Sequence, residues 1–167
     1  MQISLPENSL AIRRAAARLC AQLGWVVLHE VPLPNGRRAD ILALRPDGGF
    51  ACIEVKSGPR DFLTDMKWRD YREYSDALYF AVDEDFPQAL LPDDTGLVVA
   101  CIGGVACHPG ALFTHEAELL REAPVHGLSP ARRRALTHRF ATIAAARLAM
   151  LEDPAITSSL RAALRAE

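Results

Sequence analysis

Near the start of the chain, Glu30, Asp40, Glu54 and Lys56 have the types and spacing to do chemistry together. Carboxylates are hard oxygen donors for divalent cations. A lysine is a compact point charge that fits beside a metal-bound water or a phosphate. Whether the four can cooperate depends on two turns. Pro34-Asn35-Gly36 and Pro46-Asp47-Gly48 share one pattern. Proline presets the first turn position, Asn or Asp suits the second, and glycine takes a left-handed third position. As three-residue hairpin loops they pair Leu33 with Arg37 and Arg45 with Gly49. Counting back sets Glu30 opposite Asp40 and Asp40 opposite Glu54, with Lys56 two residues on and therefore on the same face. Three carboxylates would then stand in a row across strands about 4.8 Å apart, where like charges destabilise a sheet. One lysine does not balance them, whereas a divalent cation would, and Mg²⁺ prefers such oxygen ligands. Two-residue loops would flip the faces and dissolve the row. The plainer alternative makes Asp40 the opening residue of a strand and Glu54-Val55-Lys56 a solvated edge. The acid-x-Lys triplet alone is weak, since Asp65-Met66-Lys67 repeats it.

The elements that must position these residues are readable in order. Pro6-Glu7-Asn8-Ser9 starts a helix, and Ile12, Ala16, Leu19 and Leu23 recur at helical spacing before Gly24 stops it. Trp25–Leu33, Arg38–Arg45 and Phe50–Lys56 form an antiparallel three-stranded meander. Asp61–Tyr74 is a helix candidate, and Ala77–Val82 a buried strand reached by a right-handed parallel crossover. Leu97–Ile102 and Val105–His108, joined by Gly103-Gly104, read as a final hairpin. Ser129-Pro130 opens a last helix running to about Leu151, with Leu136, Phe140, Ile143 and Leu151 on one side. The class is α/β with a mixed sheet. It is a single domain over 1–167, with a core at about 8–108 and a helical extension at about 129–152.

Composition narrows the function. The 167 residues are 50% hydrophobic and 24% charged, which suits a packed globular core and excludes wholesale disorder. A net charge of -2 gives no global basic field, so any phosphate-binding surface is a local patch. Apolar runs fall short of a membrane span, and the N-terminus lacks a signal-peptide core, so a cytoplasmic protein is expected. Cys20, Cys52, Cys101 and Cys107 lack C-x-x-C spacing and read as small buried hydrophobes. Cys101, Cys107 and His108 could offer zinc ligands by type but not by spacing. Of the 19 basic residues only Lys56 and Lys67 are lysines.

Gly36-Arg37-Arg38-Ala39-Asp40 followed by Ile53-Glu54-Val55-Lys56-Ser57 resembles the PD-(D/E)xK nuclease superfamily, whose helix, three-strand meander, helix and strand match the order above. The run Asp61-Phe62-Leu63-Thr64-Asp65-Met66-Lys67-Trp68 with Tyr71 resembles the MmcB-like DNA-repair proteins of bacteria, and the similarity extends to Ala131-Arg132-Arg133-Arg134. The resemblance implies a restriction-endonuclease-like αβββαβ core with an added C-terminal hairpin and helix. It implies Asp40 and Glu54 as metal-binding acids, the Val55 carbonyl as a further ligand and Lys56 as the catalytic lysine. Glu30 joins the metal set from register alone. The superfamily's proline before the first acid is Ala39 here. The Gln-x-x-x-Tyr motif of some related nucleases becomes Lys67-x-x-x-Tyr71.

The activity so implied is Mg²⁺-dependent hydrolysis of DNA phosphodiesters in repair, with Mn²⁺ as a substitute. The alternative is a catalytically silent nuclease-fold module that binds DNA or a repair partner. Arg37, Arg38, Ser57, Arg60 and Lys67 are the candidate nucleic-acid contacts, and Trp68 and Tyr71 could stack on bases or pack the helix on the sheet. A homodimer and a repair-protein partner are both open, since many related nucleases pair up to cut two strands.

Overall fold

A computed structural model describes residues 5–102 and 116–163. The chain divides into two compact units, Met1–Leu128 and Ser129–Glu167.

The first unit is built on a six-stranded mixed sheet in the order β1-β2-β3-β4-β5-β6. Helix α1 (Leu5–Gln22) precedes β1 (Val26–Pro32), β2 (Arg38–Leu44) and β3 (Phe50–Val55), which form the antiparallel meander. Helix α2 (Pro59–Thr64) and a 3-10 helix (Trp68–Tyr74) then cross to β4 (Ala77–Asp83), which runs parallel to β3. β5 (Gly96–Ala100) is parallel to β4, and β6 (Ala117–Arg121) closes the sheet antiparallel to β5.

Both hairpin loops are three residues long. Leu33 N–H donates to Arg37 O at 2.8 Å and Arg45 N–H to Gly49 O at 2.8 Å. Gly36 and Gly48 have φ of 77° and 80°, the left-handed position such loops need. This fixes the register, and with it which residues share a face. Ile41, Ala43, Ile53, Val55 and Tyr79 join Ile12, Ala16 and Cys20 of α1 in one core layer. α1 crosses that face and touches all six strands. Phe80 is buried among aromatic rings, meeting Phe62 of α2 edge-on at 5.3 Å and Trp68 at 5.4 Å.

Four sequence expectations change. The helix over 61–74 is two short pieces, because Asp65 at its middle has extended backbone and its carboxylate accepts from the Lys67 N–H. That local bond competes with the helical pattern. The antiparallel partner of β5 is β6, while Val105–His108 lies outside the described residues. Leu23 is exposed rather than packed. Cys20 and Cys52 are free and buried as expected, but Cys101 is disulfide-bonded. Among the described residues no helix is long and apolar enough to cross a membrane.

The second unit begins where the helical extension was expected. Ser129 caps α3 (Pro130–Glu152) by accepting from Arg132 N–H at 3.3 Å. Leu136, Phe140, Ile143 and Ala146 form its buried stripe. Leu151 does not belong to it, being 81% exposed. Asp153 ends the helix, and α4 (Thr157–Ala163), which no sequence signal announced, follows a short 3-10 turn.

Candidate functional site

The register places Asp40 opposite Glu54, one step beyond the Ile41–Ile53 pair. There the backbone ladder gives way to side chains. Val55 N–H donates to Asp40 Oδ2 at 2.9 Å, and Asp40 N–H to Glu54 Oε1 at 3.3 Å. Each carboxylate is thus held by the backbone of the other strand. The Cys52 thiol lies 3.7 Å from the same Glu54 oxygen.

Glu54 is only 3% exposed. Burial, followed by the charge of Asp40, pushes its pKa up to about 8. Burial also raises Asp40, against the opposing pull of the Val55 N–H, Lys56, Arg13 and Arg38. Two carboxylates that resist ionising together mark a site short of positive charge.

Lys56 does not make up the shortfall. Its backbone N–H continues the ladder to Ala81 O at 2.9 Å, and its ammonium, 5% exposed as a residue, lies 2.5 Å from Asp65 Oδ2. Burial pushes the Asp65 carboxyl up, but the bonds from Lys56 Nζ and Lys67 N–H outweigh it and hold the pKa below its ordinary value. In the sequence Asp65 stood in a second acid-x-Lys triplet and in the run that carries the family resemblance, with no role assigned to it. Its pairing with Lys56 depends on the chain doubling back after α2, which no local spacing encodes.

Glu30, the acid that joined the metal set from register, lines the same cavity as Asp40 and is engaged by two arginines. Its strand register is the expected one, since His29 faces Ile41 and Val31 faces Ala39. Its backbone takes a left-handed φ of 51° at that residue. Its carboxylate lies 3.2 Å from Arg13 and 3.8 Å from Arg38. Among the described residues, no three His, Cys, Asp or Glu side chains gather as a metal-holding cluster. The remaining Asp40–Glu54 pair fits a hard cation by donor chemistry, offering carboxylate oxygens and a deficit of positive charge. Asp40 and Val55 also share the wall of a cavity of about 320 Å³.

The sequence pattern of the DNA repair protein MmcB-like family matches residues 1–155. The chain belongs to that family. It is also similar to the solved structure of SPO1766, a protein of unknown function from Silicibacter pomeroyi. The two are 38% identical, with a TM-score of 0.74 over 92% of this chain and 94% of that one. No curated protein matches.

In this MmcB-like chain the remaining candidate residues divide by exposure. Arg38, Arg60 and Lys67 are exposed. Arg37 is tied to Asp70 by two bonds at 3.0 and 3.1 Å. Ser57 donates through its N–H and hydroxyl to Asp61. Ser57 and Arg60 wall a second cavity, of about 670 Å³, and Ser9 lines both it and the cavity beside Asp40. Trp68 is 4% exposed, with Phe80 against its ring and the Arg69 guanidinium 4.4 Å above it. Tyr71 is buried and donates to Arg38 O at 3.1 Å. Both rings therefore pack, the alternative open to them from the sequence. Arg132 and Arg134 are exposed on the first turns of α3. Arg13 of α1 also lines the cavity beside Asp40.

Proposed function

We propose that this MmcB-like DNA repair protein is a Mg²⁺-dependent nuclease that hydrolyses DNA phosphodiesters. The observation that carries the reading is the pair of buried Glu54 and half-buried Asp40, cross-tied by backbone hydrogen bonds and left short of positive charge. Asp40 and Glu54 would hold the metal, with the Val55 carbonyl as a third oxygen. When bound, Mg²⁺ supplies a water of lowered pKa and positive charge against the phosphorane-like transition state. Hydrolysis adds that water across one P–O ester bond and leaves a phosphate monoester and a hydroxyl. Lys56 orients the water or steadies the scissile phosphate, and Asp65 fixes the lysine's position. Arg38, Arg60 and Lys67, all exposed, would contact phosphates without reading sequence.

A second reading, a nuclease fold that binds DNA or a repair partner without cutting, draws on the finding that among the described residues no three potential ligands cluster. One experiment separates them. Wild type and Lys56→Ala are incubated with labelled single-stranded, duplex, nicked, flapped and branched DNA in Mg²⁺, Mn²⁺ or EDTA. Metal-dependent cleavage lost in the variant supports the nuclease. Salt-sensitive retention with no cleavage under either metal favours the binding module. Neither cleavage nor retention overturns both.

A further inference from the structure

We propose that Arg13 and Arg38 form a phosphate-binding pair beside the carboxylate site, and that Glu30 fills it in the ligand-free protein as a stand-in for a phosphodiester. The inference rests on the DNA-binding part of the reading above.

Three elements converge on the cavity next to Asp40 and Val55. Arg13 comes from α1, Glu30 from β1 and Arg38 from β2. Both guanidiniums approach the same oxygen, Glu30 Oε1, at 3.2 and 3.8 Å. A carboxylate and a phosphodiester each carry one negative charge on two terminal oxygens, and both suit the planar donor fork of arginine. An anion that fits between these two arginines can therefore replace Glu30.

The backbone of Glu30 supports a purpose beyond an ordinary surface ion pair. It has a left-handed φ of 51° within a strand whose pairing is regular on either side. Glycine or asparagine would take that conformation more readily, and glutamate has no such advantage. At this residue the carboxylate lies against two cations, Arg13 and Arg38. Strain confined to one residue at the rim of a candidate site is the pattern of a functional constraint. The arginines belong to the rim of the site as well, because Arg13, Glu30, Arg38 and Asp40 line one cavity of about 320 Å³. A phosphate exchanged into Glu30's place would sit on the wall that Asp40 shares. DNA binding would then displace an internal anion, and the displacement would weaken apparent affinity until a continuous phosphate chain outcompetes it.

The test is fluorescence anisotropy of a labelled DNA duplex in EDTA, over a range of salt, so that cleavage plays no part. Glu30→Gln keeps the shape and removes the charge. It is expected to bind about tenfold tighter than wild type, with a steeper salt dependence. Arg13→Gln and Arg38→Gln are expected to bind more weakly, each making the salt slope shallower by about one. In the triple variant the gain from Glu30→Gln should vanish. Thermal melting of each variant accompanies the titration. Salt-dependent binding by wild type with no gain in folded Glu30→Gln would overturn the inference and leave the nuclease reading standing. A lowered melting temperature in Glu30→Gln with unchanged affinity would make the cluster a structural ion pair and also overturn it. Binding by Glu30→Gln alone would support it strongly. No binding by any form would overturn the inference, while the metal-dependent cleavage assay alone decides the nuclease reading.

Discussion

Strand β3 is flanked by a buried carboxylate at each end, and the two are handled in opposite ways. At its start, Asp76 accepts from Phe50 N–H and Leu128 N–H, each at 2.8 Å. At its end, Glu54 accepts one backbone N–H at 3.3 Å and a weak thiol donor, Cys52, at 3.7 Å, and it faces the carboxylate of Asp40. Both residues are 3% exposed. Asp76 uses its charge to join the beginning of β3 to the segment that leaves β6. Glu54 is left at a position where a proton or a cation must complete it. Burial alone therefore does not distinguish a structural acid from a functional one. The inventory of donors around it does.

Substitutions should separate the two ends in sign as well as size. The largest effect is expected at Asp76. Asp76→Ala strands the buried Phe50 N–H and the half-buried Leu128 N–H and should cost about 3 kcal/mol in chemical denaturation. A loss below about 1 kcal/mol would remove the structural half of the contrast. Glu54→Gln should act in the opposite direction. A carboxylate with a raised folded-state pKa holds its proton longer in the native protein than in the unfolded chain. Metal-free stability should therefore fall as pH rises from about 4.5 to about 8. The glutamine variant should flatten that fall and be more stable than wild type at pH 8 by about 2–3 kcal/mol. An unchanged pH profile would show that Glu54 ionises without penalty. The smallest effect is expected at Asp40. Asp40→Asn can still accept from Val55 N–H but removes the neighbouring charge. It should raise metal-free stability by about 1 kcal/mol and lower the Glu54 pKa in an NMR titration, while abolishing any Mg²⁺-induced rise in melting temperature.

The two hairpins were legible because their information is local. Pro-Asn-Gly and Pro-Asp-Gly set both loop lengths, loop length set the register, and the register set Asp40 against Glu54. What escaped the sequence depends on partners distant along the chain. Glu30 kept its register, but its left-handed backbone and its pairing with Arg13 and Arg38 were not readable from the turns. The helix expected over 61–74 broke where Asp65 meets Lys56, a contact nine residues back. β6 was missed because Ala117–Arg121 is short, carries two charges and follows residues with a stronger strand pattern. Asp76 read only as the residue before a strand, since its second donor lies 52 residues away.

The most direct test of the central claim is calorimetric titration of Mg²⁺ into the metal-free protein at pH 7, repeated in buffers of different ionisation enthalpy. The carboxylate pair should bind the cation and release close to one proton, because Glu54 must give up the proton that its pKa of about 8 retains. Glu54→Gln should abolish that release. Proton-neutral binding, or no saturable binding by the wild-type protein, would contradict the assignment of Asp40 and Glu54 as a metal site.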